Sequence, residues 1–125
     1  MPKVALTFGN TVKSFPALVN SKSRKVQKAI KQILERAANE VLRELRIPDK
    51  DYNDQTGTLR GSWKKNKLKG YRWKISNRTK YASYIENGTV KIAPRRMLHK
   101  ALNNARARLR RRLGHLAKRV RKGLV

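Results

Sequence analysis

Apolar residues recur at three- and four-residue steps through the first half of the chain, which is the spacing of an amphipathic helix. Ser21 or Ser23 is placed to cap its amino end, because a serine hydroxyl can accept from the first free N–H groups. Pro48 marks the carboxyl end, since proline cannot continue a helix. The pattern predicts a helix over about 22–46.

A second run with the same spacing follows Pro94, a residue that suits the first turn of a helix. It predicts a helix over about 95–122, ending near Gly123. At 1.5 Å per residue this helix is roughly 40 Å long, which exceeds the diameter expected for so small a core. We therefore expect one domain over 1–125, with 106–125 a projecting basic helical extension.

Alternation of apolar and polar residues predicts short strands outside the two helices. Residues 3–8 alternate, and 65–69 with 71–78 form a hairpin that turns near Gly70. The polar stretch 49–57 is a predicted loop. The predicted fold class is α+β: a small antiparallel sheet packed against a long helix in the N-terminal half and a long basic C-terminal helix.

Charged residues are unevenly distributed, and the two ends of the chain are strongly basic. The 33 Lys+Arg exceed the 7 Asp+Glu, which gives a formal charge of +26. All seven acids lie between Glu35 and Glu86, so the last helix carries no acid. Such an excess favours an anionic partner: nucleic acid, an acidic membrane surface or acidic faces of proteins.

The basic C-terminal helix has three interpretations. It binds phosphates, it docks against acidic faces of neighbouring subunits or another protein, or it is a solvated surface. The candidate contact residues are Arg106, Arg108, Arg110, Arg111, Arg112, Lys118, Arg119, Arg121 and Lys122.

Several classes of protein are disfavoured by what the sequence lacks. It has no cysteine for a disulfide framework or a thiolate metal site. It has no apolar run of the roughly 20 residues that cross a bilayer, and its first residues do not resemble a signal peptide. We expect a protein that is soluble and cytoplasmic at synthesis, with no membrane partner.

Candidate catalytic and metal-binding groups are sparse. His99 and His115 are sixteen residues apart on one predicted helix and cannot form a ligand pair at helical spacing. Asp49, Asp51 and Asp54 lack the glycine and the closing glutamate of a calcium loop. No glycine-rich phosphate loop is present. We predict no catalytic, cofactor or metal site, and hence no enzyme.

Aromatic residues are interleaved with lysine and arginine in the middle of the chain. This combination can stack bases of single-stranded nucleic acid, but aromatic side chains also supply the core of a small sheet. We predict the core role for Trp63, Tyr71, Trp73, Tyr81 and Tyr84.

Two segments carry a family resemblance. Residues 56–63, Thr-Gly-Thr-Leu-Arg-Gly-Ser-Trp, resemble the TG-x-LR-x-S motif of the tail-completion, or head–tail joining (neck), proteins of long-tailed bacteriophages. Residues 81–89 are similar to that family's YA-x-Y-[VI]-E-x-GT motif, and 93–98 resemble the start of its terminal helix. The resemblance covers about 22–105 and assigns motif or assembly roles to Thr56, Gly57, Leu59, Arg60, Ser62, Trp63, Tyr81, Ala82, Tyr84, Glu86, Gly88, Thr89 and Pro94.

The resemblance implies a structural virion protein found at the head–tail junction, and in the host cytoplasm during assembly. It implies a homo-oligomeric ring, with a hexamer favoured over a dodecamer, that joins the head connector or portal adaptor to tail-tube or tail-terminator proteins. Packaged double-stranded DNA passing such a ring could be contacted through its phosphates. The alternative, a non-sequence-specific nucleic-acid-binding protein, rests on charge alone.

Two features qualify the resemblance. The terminal helix is longer and more basic than the family pattern requires. Glu86 is the lone acid in a basic region, and we predict that it pairs with Arg60 or with a neighbouring subunit.

Overall fold

The computed structural model describes residues 4–46, 62–78, 82, 86–87 and 96–124. A 3-10 helix, Asn10–Ser14, follows the first strand. The strands and α-helices are β1 (Val4–Phe8), α1 (Pro16–Val19), α2 (Arg24–Arg46), β2 (Lys64–Lys67), β3 (Trp73–Asn77) and α3 (Met97–Arg121).

The three strands form one antiparallel sheet in the order β1-β3-β2. β2 and β3 are the predicted hairpin, closed by the Leu68 N–H donating to the Arg72 carbonyl oxygen at 2.9 Å. Gly70 lies in the turn with φ +70°, a conformation that glycine adopts without the steric cost of a Cβ. β1 pairs with the other edge of β3, with Leu6 opposite Ile75.

Gly9 lets the chain leave β1 close to the end of the hairpin. Its φ is +111°, and a Cβ at this position would lie 2.1 Å from the carbonyl oxygen of Tyr71. Any other residue would therefore combine a disfavoured backbone conformation with a collision against main chain.

α2 confirms the first predicted helix. The Ser23 hydroxyl accepts from the Val26 N–H at 3.4 Å, so this serine caps the helix amino end. Pro16 begins the separate short helix α1, since proline suits the first turn of a helix.

α3 lies alongside α2, and the facing apolar stripes of these helices form most of the core. Phe8 of β1 and Ile75 of β3 are buried in the same core, so the sheet packs against both helices. The α+β fold class is confirmed. The buried residues of the two stripes are Val26, Ile30, Leu34, Ala37, Ala38, Val41, Leu42 and Leu45 from α2 and Leu98, Ala101, Leu102, Ala105, Leu109, Leu113, Leu116 and Ala117 from α3.

The burial of side chains along α3 can be compared with the prediction that 106–125 is a projecting extension. Leu109, Leu113 and Leu116 fall within 106–125, and all three are buried in the core. Residues 109–117 of α3 therefore lie against the core, and the prediction of a single domain over 1–125 with an extension at 106–125 stays a prediction. The predicted loop at 49–57 falls outside the described residues.

Candidate functional site

Four residues of the family motifs lie in the part of the chain that the structure describes: Ser62, Trp63, Ala82 and Glu86. Trp63 is buried directly before β2, and its carbonyl oxygen accepts from Arg46 Nη2 at 3.1 Å. This bond ties the sheet to the last residue of α2. The remaining motif residues fall outside the described ranges; they are Thr56, Gly57, Leu59, Arg60, Tyr81, Tyr84, Gly88, Thr89 and Pro94.

The described aromatic residues belong to the core rather than to an open base-stacking surface. Trp63 is 2% exposed, and Tyr71 and Trp73 are partly buried against the core. Lys65 Nζ lies 5.4 Å from the centre of the Trp73 ring, a distance that allows a cation–π contact. Tyr81 and Tyr84 lie outside the described residues.

Glu86 holds the amino end of the basic helix. The residue is 1% exposed, and its Oε1 accepts from the Leu98 N–H at 2.8 Å. Its Oε2 accepts from the His99 N–H at 3.1 Å and also contacts His99 Nδ1. Both carboxylate oxygens are thus used by the first turn of α3.

This contact supplies a cap that α3 does not find next to itself in sequence. Arg96, the residue before the helix, is in the left-handed conformation with φ 51° and makes no side-chain capping bond. The first turn contains no acid. A carboxylate at that end also interacts favourably with the helix dipole. Arg60, the partner we had predicted for Glu86, lies outside the described residues.

A second set of acids joins the middle of α3 to α2. Arg112 Nη2 donates to Glu40 Oε1 at 2.8 Å, and Arg108 Nε lies 3.2 Å from Glu40 Oε2. Arg36 Nε, on α2 itself, is 3.4 Å from Glu40 Oε1. Glu44 Oε2 is 3.8 Å from Arg108 Nη2. We call these five residues the glutamate–arginine cluster.

The cluster keeps the Glu40 carboxyl ionised. Partial burial raises its pKa, whereas the hydrogen bond and the charge of Arg112 lower it. The charges of Arg108 and Arg36 lower it further, so the net pKa lies below the ordinary value of 4.5. One carboxylate thereby serves three guanidinium groups, and two of them, those of Arg108 and Arg112, join α3 to α2.

The cations of α3 consequently fall into two groups. Besides Arg108 and Arg112, Arg106 has an internal partner, because its Nη2 donates to the Thr7 carbonyl oxygen at 3.2 Å. Arg121 Nε donates to the Ala117 carbonyl oxygen at 3.4 Å within the helix. The predicted contact residues that are exposed and whose side chains make no hydrogen bond or ion pair to other described residues are Arg110, Arg111, Lys118, Arg119 and Lys122.

The histidines do not form a metal-binding group. His115 is exposed, and His99 contacts Glu86 with 41% of its side chain exposed. Within the described ranges, no group of three or more His, Cys, Asp or Glu side chains is placed to hold a metal ion. No helix in those ranges is long and apolar enough to cross a membrane.

Sequence reasoning missed both anchoring contacts of α3. Glu86 and Glu40 are separated from their partners on α3 by 12 to 72 residues, so no helical or strand spacing reveals these contacts. A signal for Glu86 was nevertheless present. The helix after Pro94 begins with arginines and no capping side chain, and Glu86 is the nearest acid before it.

Comparison with known proteins adds a finding to this geometry. Residues 13–88 match the model of the HK97-gp10-like family, described as "Bacteriophage HK97-gp10, putative tail-component". The match covers more than half of the 125 residues, includes both motif segments up to Gly88 and ends before α3. No curated protein and no solved structure matches the chain.

Proposed function

This chain belongs to the HK97-gp10-like family of bacteriophage tail components, and we propose that it is a structural protein of the head–tail junction. Copies form a homo-oligomeric ring, with a hexamer favoured, that joins the head connector or portal adaptor to tail-tube or tail-terminator proteins. Family membership is the observation that carries this proposal. It is also consistent with the prediction that the chain is not an enzyme.

The contacts that hold α3 in the described structure support a role in assembly. Buried Glu86 fixes one end of this helix, and the glutamate–arginine cluster fixes its middle against α2. A long helix held at two places can present the same surface in every copy, which a symmetric assembly requires. The exposed face of α3 meets DNA or an acidic partner.

A second candidate function is non-sequence-specific binding of nucleic acid outside a particle. The formal charge of +26 favours it, because basic proteins bind phosphates through counterion release. The two functions differ in what holds copies together. A ring is held by protein–protein contacts, whereas copies gathered on nucleic acid separate when salt removes the charge attraction.

The mass of the purified, nuclease-treated protein at about 1 M salt tests the proposal, because charges are screened beyond about 3 Å under those conditions. We expect a closed oligomer whose mass is a whole multiple of the 14.5 kDa chain and does not fall as salt rises. A protein that is monomeric at high salt, and that associates only when DNA is added at low salt, would favour the second function and contradict the first.

A further inference from the structure

Four exposed cations of the basic helix and its end fall on one side. Lys100, Arg111, Lys118 and Lys122 are separated by eleven, seven and four residues, which are close to three, two and one turns of an α-helix. Each of the four is exposed, and none of their side chains has a hydrogen bond or ion pair to another described residue. We call these four residues the outer stripe.

The glutamate–arginine cluster lies on a different side of α3. Arg108 and Arg112 face α2, where Glu40 and Glu44 supply their counter-charges. These arginines are therefore occupied within the protein. The outer stripe has no carboxylate neighbour among the described residues, so its positive charge is open to a partner.

The composition of the outer stripe favours a phosphate backbone over a protein. Protein interfaces are centred on buried aromatic or aliphatic anchors. The exposed large hydrophobic residues of the described chain are Val19 and Leu124, and neither is in the stripe. Apolar surface beside α3 occurs instead in a groove on the α2 side, whose lining includes Ala29, Ile33 and Leu116.

The length of the outer stripe suits a DNA duplex. Lys100 and Lys122 are 22 residues apart, and the helical rise places them about 33 Å apart along the axis. One turn of B-form DNA is about 34 Å long. Point charges along such a rod can neutralise phosphates without apolar contact and without reading bases.

We propose that the outer stripe binds the phosphates of double-helical DNA independently of base sequence. The inference rests on the proposed function for the source of the duplex, which is the packaged DNA that passes the head–tail junction. The internally paired arginines, Arg108 and Arg112, hold the helix in place and do not contact the DNA.

The test compares two variants that remove the same charge. The stripe variant carries Lys100→Gln, Arg111→Gln, Lys118→Gln and Lys122→Gln. The control variant carries four glutamines on the exposed side of α2, at Lys25, Lys28, Lys31 and Arg43. The probe is a short fluorescent DNA duplex of mixed sequence, and affinity is measured as salt rises from about 0.05 to 0.2 M, where phosphate contacts dominate the change.

We expect the slope of log affinity against log salt to become shallower by about 3 to 4 for the stripe variant, since each lost phosphate contact contributes about 0.9. The control should change the slope by less than about 1 on the same scale. Thermal unfolding of both variants checks that the fold is kept, because all the replaced side chains are exposed.

Equal changes of slope in the two variants would overturn the inference, because bulk charge would then explain the binding. A stripe variant with an unchanged slope that fails to join tail or connector proteins would also overturn it and identify an acidic protein as the partner. The high-salt mass separates this inference from the proposed function. If the stripe variant forms a salt-resistant ring, the ring proposal stands whatever the salt slopes are. If the wild type is monomeric at high salt, the ring proposal is contradicted, and the salt slopes alone then test the DNA contact.

Discussion

Replacing Glu86 with glutamine removes the charge that anchors the basic helix and leaves the side-chain shape almost unchanged. The native carboxylate accepts from the Leu98 N–H at 2.8 Å and from the His99 N–H at 3.1 Å. A glutamine amide offers one acceptor oxygen and one NH2 group. One of the two main-chain donors would therefore face another donor in a site that is 1% exposed.

The cost follows from the two interactions that the glutamine loses. A buried donor without an acceptor costs about 1–3 kcal/mol, and loss of a partly buried charge at a helix end costs about 1–2 kcal/mol. We expect Glu86→Gln to lower the free energy of unfolding by about 2–5 kcal/mol. At roughly 4 °C per kcal/mol for a chain of this size, Tm should fall by about 8–20 °C.

Circular dichroism of the helical signal during thermal and urea unfolding measures both quantities. Glu35→Gln is the matched control, because Glu35 is an exposed glutamate on α2 and its replacement should change the free energy by less than about 0.5 kcal/mol. If Glu86→Gln costs no more than this control, the carboxylate does not anchor α3, and our account of how the helix is positioned is wrong.

Three further predictions concern the rest of the fold. Gly123→Ala should lower the free energy of unfolding by about 1–2 kcal/mol, because this glycine has a positive φ. Gly9→Ala should lower it more, because this position also has a positive φ and its added Cβ would clash with main chain. Equal losses of free energy in urea unfolding would contradict this. Glu40→Gln should destabilise the protein most near neutral pH, because a lowered pKa gives stability that is present above about pH 4.5 and is lost as pH falls through that lowered value. If the difference in the free energy of unfolding between wild type and this variant widens as pH falls, the ionised Glu40 carboxylate of the glutamate–arginine cluster is not the source of the stability. Leu113→Ala should cost about 2–5 kcal/mol and Leu124→Ala less than about 0.5 kcal/mol, since the first side chain is buried and the second exposed. A small loss at both positions would show that the end of α3 does not pack on the core.

The elements that the sequence predicted well are those with local signals. α2 and α3 lie within two residues of the predicted bounds at each end, because an apolar stripe with helical spacing must be buried to be stable. The hairpin was equally predictable, because Gly70 marks a turn between two stretches in which apolar and polar residues alternate. These signals depend on neighbours a few residues apart, which the sequence displays directly.

The arrangement of the helices was harder to predict than their existence. The length argument for a projecting α3 assumed a round core, whereas the structure places α3 beside α2. α2 has 23 residues and α3 has 25, so each is about 35–38 Å long and the core extends along both. An apolar stripe alone does not say which other stripe will cover it.

The candidate site was likewise predictable only where the signal is local in sequence. The basic character of α3 was plain from composition, but the division of its cations into internally paired and open ones was not. That division depends on where Glu40 and Glu44 meet Arg108 across two packed helices. Only tertiary structure settles such a pairing, because the residues are more than 60 positions apart in sequence.

The place of the protein in an assembled particle tests the central claim most directly. An averaged electron cryomicroscopy image of virions containing a labelled copy of the chain would reveal both position and subunit number. We predict a rotationally symmetric ring of this chain at the head–tail junction, with six copies favoured. Labelled density elsewhere in the tail, or virions that contain none of the chain, would contradict the account.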